Sequence, residues 1–182
     1  MAHFAGEIVH TDVCGPMSIP TKGGARYFIT FTDDESRFTK IFLLETKDQS
    51  ITAFKKYYQY AKTMQNQGIK RIHHDLGSEF FTQSWKDFCD QNGITQTSAP
   101  RVSPNKNAIP EVVNRILMVK ARAMMADANA PRNFWGYAVE TATLLKNIAL
   151  PLRMDEHHSN YGLDANPRSN TSEYGEHSHS SK

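Results

Sequence analysis

The sequence predicts an α/β domain in which helices flank a five-stranded mixed sheet. Three observations lead to this fold class. Residues 1–150 alternate between strand-type and helix-type patterns, turn residues join two neighbouring strand patterns, and each later strand is reached through a helix. The chain has 182 residues, of which 39% are hydrophobic and 22% charged, so it is long enough for one domain with a substantial core.

The first three predicted strands include an antiparallel hairpin. Residues Glu7–Cys14 form the first strand pattern. Arg26–Phe31 alternates apolar and polar residues and is rich in β-branched and aromatic side chains, and Phe38–Leu44 is a similar run. The residues Asp33–Ser36 between these two runs favour a turn, which predicts that the second and third strands pair as a hairpin. The paired acids of this turn are therefore interpreted as structural.

Helix-type periodicity defines the rest of the domain. Apolar residues recur at helical spacing from Lys47 to Gln67, and glycines favour the end of this helix and of the next one. The remaining predicted elements are two strands, Ile69–His74 and Ile94–Ser98, and three helices, Phe81–Asn92, about Glu111–Ala126 and Phe134–Ala149. The resulting order of strand, hairpin, helix, strand, helix, strand and two helices matches a ribonuclease-H-like layout by analogy of pattern.

The sequence divides into a domain at residues 1–152 and a polar tail at residues 153–182. The tail is rich in Ser, Asn, His and Gly and poor in large aliphatic residues. Because such a segment cannot offset the entropy cost of ordering, we expect a disordered C-terminal tail. Its histidines are interpreted as solvated residues and not as metal ligands.

Composition excludes several classes of protein. No apolar run approaches the roughly 20 residues of a transmembrane helix, and the N-terminus lacks the pattern of a secretory signal. The two cysteines, Cys14 and Cys89, are too few for a disulfide scaffold, and reduced thiols in an intracellular protein are expected. A net charge of +2 permits nucleic-acid binding without requiring it.

Three acidic residues at the ends of predicted elements mark a candidate site. Asp12 lies near the end of the first strand, Asp75 directly follows the fourth, and Glu111 opens a helix. If the first and fourth strands are neighbours, Asp12 and Asp75 face one cleft at the carboxyl ends of the strands. Clustered carboxylates repel one another unless cations are present, and oxygen-only ligands suit Mg²⁺ or Mn²⁺. Such ions serve phosphoryl transfer at phosphodiesters.

Four blocks of this sequence resemble the integrase catalytic core of copia-type LTR retrotransposons. The blocks are HTDVCGPM (His10–Met17), YFITFTDDESRF (Tyr27–Phe38), DLGSEF (Asp75–Phe80) and FWGYAVETA (Phe134–Ala142). The resemblance, which covers roughly residues 6–151, implies a ribonuclease-H-like fold. It also implies a D, D, 35, E metal site on Asp12, Asp75 and Glu111, with 35 residues between the last two. Enzymes of this family are Mg²⁺-dependent polynucleotidyl transferases that trim the 3′ ends of element DNA and join them to target DNA.

The resemblance also carries expectations about partners and location. Lys106, Asn107, Asn114 and Arg115 are the expected nucleic-acid-binding residues, and DNA is the expected partner. The two last helices are expected to form a homodimer face, as integrase cores commonly do. A nuclear location is implied by the family alone.

Several other polar residues near the three acids are interpreted as structural. Glu79 lies four residues after Asp75, and a local structural role is favoured for it over a place in the site. His10, His73 and His74 flank the acids at strand ends, where neutral histidines usually pack. Alternation along a strand turns His74 away from the face on which Asp75 lies.

The sequence departs from the family pattern around the acids, which leaves activity open. Leu76 replaces an amide, Ala108 replaces a Gly, and Val112 replaces an Arg beside the acidic residue. Pro110 suits a helix start and predicts an extended Ile109. No upstream His/His/Cys/Cys zinc module is present, so a core fragment is expected. Three alternatives remain: a catalytically inactive nucleic-acid-binding or dimerising remnant, an interaction module, and a ribonuclease acting on RNA–DNA hybrids.

Overall fold

The computed structural model describes residues 5–65, 68–98 and 108–150, and its centre is a five-stranded mixed sheet. The strands are Ile8–Cys14 (β1), Tyr27–Asp33 (β2), Thr39–Leu44 (β3), Arg71–His74 (β4) and Thr95–Ser98 (β5). Their order across the sheet is β3-β2-β1-β4-β5. The first three strands pair antiparallel, whereas β4 pairs parallel with both β1 and β5. The predicted five-stranded mixed sheet with its hairpin is therefore confirmed.

Four helices flank this sheet. They are Ser50–Gln65 (α1), Gln83–Asn92 (α2), Ala108–Asp127 (α3) and Trp135–Ile148 (α4). Three-residue 3₁₀ turns precede three of the elements, at Lys47–Gln49, Ser78–Phe80 and Arg132–Phe134. The C-terminal end of α2 is set by Gly93, whose φ of 65° is the left-handed conformation that glycine adopts without strain.

The two faces of the sheet carry separate hydrophobic cores, because alternate residues of a strand point to opposite faces. On one face, Phe31 of β2 stacks on Tyr57 of α1 with ring centroids 4.7 Å apart. On the other face, Phe28 of the same strand packs with residues of α3 and α4, including Leu117 and Val139. As a result, α1 and α2 cover one face, and α3 and α4 cover the other.

The structure corrects two local expectations. The helix around Glu111 begins at Ala108, so Ile109 is helical and not extended. Pro110 lies in the first turn, where backbone N–H groups have no intrahelical acceptor, and its ring therefore costs no hydrogen bond. Asp33 is the last residue of β2 and is fully buried, so the hairpin turn begins one residue later than the turn residues indicated.

Two further expectations concern the limits of the domain. The tail at residues 153–182 lies outside the described residues, and the division of the chain after residue 152 stays a prediction. Among the helices that the structure describes, none is long and apolar enough to cross a membrane.

Replacing Trp85 with Ala should lower the free energy of unfolding by about 3–5 kcal/mol. Trp85 is fully buried, stacks on Phe54 at 4.6 Å and donates a hydrogen bond from Nε1 to Ser50 Oγ over 3.1 Å. Urea denaturation measures the change. The matched control is Lys86→Ala on the exposed side of the same helix, for which a change within about 0.5 kcal/mol is expected. Equal losses in the two variants would contradict this assignment of the core.

Candidate active site

Parallel pairing of β1 with β4 brings Asp12 and Asp75 to the same edge of the sheet. His10 lies opposite His73 in this pairing, and continuing the register by two residues places Asp12 level with Asp75. Asp75 is 8% exposed and directly follows β4. The backbone N–H of Gly77 donates a hydrogen bond to Asp75 Oδ1 over 2.9 Å, which orients this carboxylate. The first and fourth strands are therefore neighbours in the sheet, as expected.

Helix α3 crosses the same region and adds two side chains to it. Nδ2 of Asn114 donates a hydrogen bond to Asp12 Oδ2 over 2.8 Å, which fixes the helix relative to β1. Glu111 precedes Asn114 by three residues, so both lie on one side of the helix. Glu111 is exposed, whereas Asn114 is 7% exposed.

The charges of Asp75 and Glu111 act on the Asp12 carboxylate. Burial raises the pKa of Asp12 to about 6, and the negative charges of Asp75 and, to a smaller extent, Glu111 contribute in the same direction. The hydrogen bond from Asn114 acts in the opposite direction because it stabilises the carboxylate. Asp12 therefore sits in a region of uncompensated negative potential.

This environment fits a hard divalent cation in its chemistry. The side chains offer carboxylate oxygens, which Mg²⁺ and Mn²⁺ prefer. Burial is the main cause of the raised pKa of Asp12, and a cation would relieve the smaller contribution that comes from the negative charges of Asp75 and Glu111. The described residues nevertheless contain no group of three or more His, Cys, Asp or Glu side chains positioned to hold an ion. Oxygen ligands are therefore available, but the described side chains do not form a complete site with three ligands.

Glu79 and Lys47 form an ion pair next to Asp75, and the sequence did not indicate this pair. Glu79 is 7% exposed, and its Oε1 accepts a hydrogen bond from Lys47 Nζ over 3.0 Å. A Cβ placed on Gly77 would lie 2.8 Å from Glu79 Cδ and 2.9 Å from Asp75 Oδ1, so a larger residue at this position would displace these carboxylates. Glu79 thus packs beside Asp75, and because Lys47 lies 32 residues earlier, no local pattern could have revealed the pair.

The other acids and histidines near the site have structural partners. Asp33 accepts hydrogen bonds from the backbone N–H groups of Gly6, over 2.6 Å, and Ser36, over 2.7 Å. His10 Nε2 lies 3.1 Å from Asp34 Oδ1, and this contact acts to raise the pKa of His10. Burial has the larger effect and lowers the pKa of His10. The His74 ring is buried and stacks on Phe80 with centroids 4.7 Å apart.

The expected nucleic-acid-binding residues divide into three groups. Lys106 and Asn107 lie outside the described residues. Asn114 is buried against Asp12, so its side chain holds the site together. Arg115 is exposed on α3, where it is accessible to a ligand.

The fold and the pair of strand-end acids agree with the comparison to known proteins. Residues 2–104, which are more than half of the chain, match the family described as integrase core domain, so the chain belongs to this family. The matched segment includes Asp12 and Asp75 and ends before Glu111.

Two relatives are polyproteins of transposons. The chain is 37% identical over 141 residues to the retrovirus-related Pol polyprotein from transposon TNT 1-94 of Nicotiana tabacum, covering 78% of this chain and 11% of that protein. It is 27% identical over 143 residues to the transposon Ty1-NL2 Gag-Pol polyprotein of Saccharomyces cerevisiae, covering 78% of this chain and 8% of the relative. These relatives confirm the resemblance to a retrotransposon integrase core, and the chain spans about a tenth of their length.

Solved integrase structures share the fold. The HTLV-2 integrase catalytic core domain in complex with magnesium, in its trimeric form, matches with a TM-score of 0.56 and 16% identity over 79% of this chain and 86% of that chain. The catalytic core domain of BIV integrase matches with a TM-score of 0.55 and 16% identity over 86% of this chain and 99% of that chain. The predicted ribonuclease-H-like fold is confirmed by these similarities.

Replacing Asp12 with Asn should stabilise the chain at neutral pH when a chelator removes divalent ions. The folded pKa of about 6 exceeds the value of 3.8 for an unperturbed Asp, so wild-type stability falls as pH rises from about 4 to 6. The Asn variant escapes this loss, and we expect a gain of about 1–2 kcal/mol at pH 7.5 that disappears near pH 4. Urea denaturation at the two pH values measures it.

The control for this prediction is Asp127→Asn, which neutralises an exposed carboxylate at the end of α3. Its effect should stay within about 0.5 kcal/mol at both pH values. A stability difference between wild type and Asp12→Asn that does not change with pH would refute the electrostatic account of the site.

Proposed function

We propose that this chain is the catalytic core of a copia-type retrotransposon integrase, which processes DNA 3′ ends and transfers them to target DNA. The observation that carries the proposal is the convergence of Asp12 and Asp75 at one sheet edge, with the charge of Glu111 acting on Asp12. The family membership of the chain supports it. The chain spans about a tenth of the length of these relatives, so the activities of the whole relatives are proposed for it and not established.

Asp12, Asp75 and Glu111 would hold Mg²⁺ or Mn²⁺, which activates a water or a 3′ hydroxyl and stabilises the leaving oxygen at a phosphodiester. The remaining groups position these acids. Asn114 holds one carboxylate oxygen of Asp12, and the Gly77 N–H holds Oδ1 of Asp75. Since both bonds fix the acids before substrate arrives, the site needs little reorganisation.

DNA and a second copy of the chain are the proposed partners. Arg115 lies exposed next to Asn114, and together with Lys106 and Asn107 it is proposed to bind phosphates beside the acids. Exposed apolar side chains on α4 supply a candidate homodimer face, namely Tyr137, Leu144, Leu145 and Ile148. An intracellular, nuclear location is proposed on the basis of the family alone, and residues 1–152 are proposed to form the core domain.

A catalytically inactive remnant is the second candidate. Leu76 and Val112 directly follow Asp75 and Glu111 in sequence, and they are 55% and 38% exposed. Apolar side chains at these surface positions cannot hydrogen-bond to water or to phosphate oxygens. In this candidate the fold retains DNA binding or dimerisation, while turnover is lost.

The chain with Mg²⁺ or Mn²⁺ should resolve a branched DNA that mimics the joined product, and Asp12→Asn and Glu111→Gln should each lower the rate at least about a hundredfold. This reverse reaction demands least from other domains. Gel electrophoresis of labelled DNA measures it.

Glu140→Gln on α4 is the matched control, because it removes the same charge from an exposed position and should leave the rate unchanged. If a folded, DNA-binding wild-type chain resolves no branched DNA, the inactive remnant is the correct reading. Full metal-dependent activity in Glu111→Gln would exclude Glu111 from the site.

Replacing Arg115 with Ala should weaken binding to duplex DNA severalfold and reduce the slope of log affinity against log salt by about 1. The physical reason is the loss of one phosphate contact and of the counterion release that accompanies it. Fluorescence anisotropy at several salt concentrations provides the measurement. Lys62→Ala removes an exposed charge from α1, on the opposite face of the sheet, and should change neither quantity. An unchanged slope in Arg115→Ala would rule out this contact.

A further inference from the structure

A cavity of about 650 Å³ lies between α3, α4 and the β2–β3 hairpin, on the side of α3 that faces away from Glu111 and Asn114. Ile109, Val112 and Ile116 of α3 form an apolar wall, and Leu150, just beyond α4, contributes at the other side. This volume lies within the range of about 300–1,000 Å³ that is typical of small-molecule sites. The cavity is therefore large enough for an organic ligand with an apolar body.

Three cationic side chains line the same cavity. They are Arg37 from the β2–β3 hairpin, Lys120 from α3 and Lys146 from α4, and the described lining residues include no Asp or Glu. Arg37 Nη1 lies 3.5 Å from Asp34 Oδ1, outside the lining, so part of its charge is already compensated. Burial and, to a smaller extent, the charges of Arg37 and Lys120 lower the pKa of Lys146 to about 8, so both of these charges lie close enough to act on Lys146.

Hydrogen bonds hold the cationic wall in place. Lys146 Nζ donates to the Arg37 carbonyl oxygen over 2.5 Å, which ties α4 to the hairpin. Asn147 donates from Nδ2 to the Thr39 carbonyl oxygen over 2.7 Å and accepts from the Thr39 N–H at Oδ1 over 3.0 Å. Since these bonds join α4 to the hairpin turn at Arg37 and to the start of β3 at Thr39, the cavity is shaped before any ligand binds.

The combination of an apolar wall with three cations, of which only Arg37 has a carboxylate partner among the described residues, restricts the chemistry of the occupant. A DNA phosphate would pair with the cations but leave the aliphatic wall uncovered, and none of the lining residues that the structure describes is an aromatic side chain on which a base could stack. A neutral apolar molecule would bury the wall and leave the cations without a counterion. An anion with an apolar body would both pair with the cations and cover the aliphatic wall.

We propose that this cavity, between α3, α4 and the β2–β3 hairpin, binds an amphipathic organic anion, with the acidic head on Arg37, Lys120 and Lys146 and the aliphatic body on Ile109, Val112 and Ile116. This site is separate from the proposed catalytic acids, and its test does not depend on integrase activity.

Isothermal titration calorimetry of the full chain with dodecanoate, below its micelle concentration, tests the proposal. One dodecanoate per chain should bind, whereas dodecyltrimethylammonium, which has the same tail and a positive head, should not. Lys146→Met should weaken dodecanoate binding about tenfold, equivalent to one charge-assisted contact. Ile116→Trp, which fills the cavity from a half-exposed position, should abolish it. Lys62→Met on α1 is the control with unchanged affinity.

Equal binding of the two detergents, or affinities that neither cavity variant changes, would overturn the proposal. A third arm tests whether the chain's own acidic segment is the occupant. If the wild-type chain fails to bind dodecanoate while the Asp155→Asn, Glu156→Gln double variant binds it, the cavity is reserved for that segment and the proposal is wrong. Thermal melting of each variant confirms that the comparison is made between folded proteins.

Discussion

The pairing of β1 with a strand on each side is the arrangement on which the candidate site depends. β1 is hydrogen-bonded antiparallel to β2 and parallel to β4, so it occupies the middle of the sheet. Of these two neighbours, only the parallel strand β4 brings its carboxyl end to the edge where Asp12 lies. Because side chains alternate between faces, a shift of one residue in this register would turn Asp12 to the opposite face and separate it from Asn114.

The arrangement that creates the proposed metal site also lowers the stability of the isolated chain. Bringing Asp12 close to Asp75 and Glu111 raises its pKa to about 6, because burial and like charges disfavour the ionised form. The hydrogen bond from Asn114 offsets part of this cost. What remains is a negative potential that favours a cation, and natural proteins commonly accept such local costs at functional sites.

Helix α3 connects the two regions to which functions are proposed. One side carries Glu111 and Asn114 toward the sheet edge, while Ile109, Val112 and Ile116 line the cavity beside α4. The helix is anchored at both sides, through Asn114 to β1 and through its packing with α4 in the second core. Its placement therefore determines the geometry of both regions.

Local patterns in the sequence are enough to predict the secondary-structure elements and to single out the acids near strand ends. Period-two and helical patterns predict the five strands and four helices. Asp12, near the end of a predicted strand, and Asp75, directly after another, stand out because these signals lie within a few residues of one another. The start of α3 is predicted too late, because the residue before a proline is usually extended, whereas Ile109 is helical here. The hydrogen bond between Asn114 and Asp12, 102 residues apart, and the ion pair of Lys47 with Glu79 become apparent only once the chain is folded. Such contacts depend on how distant elements pack, which no local pattern encodes.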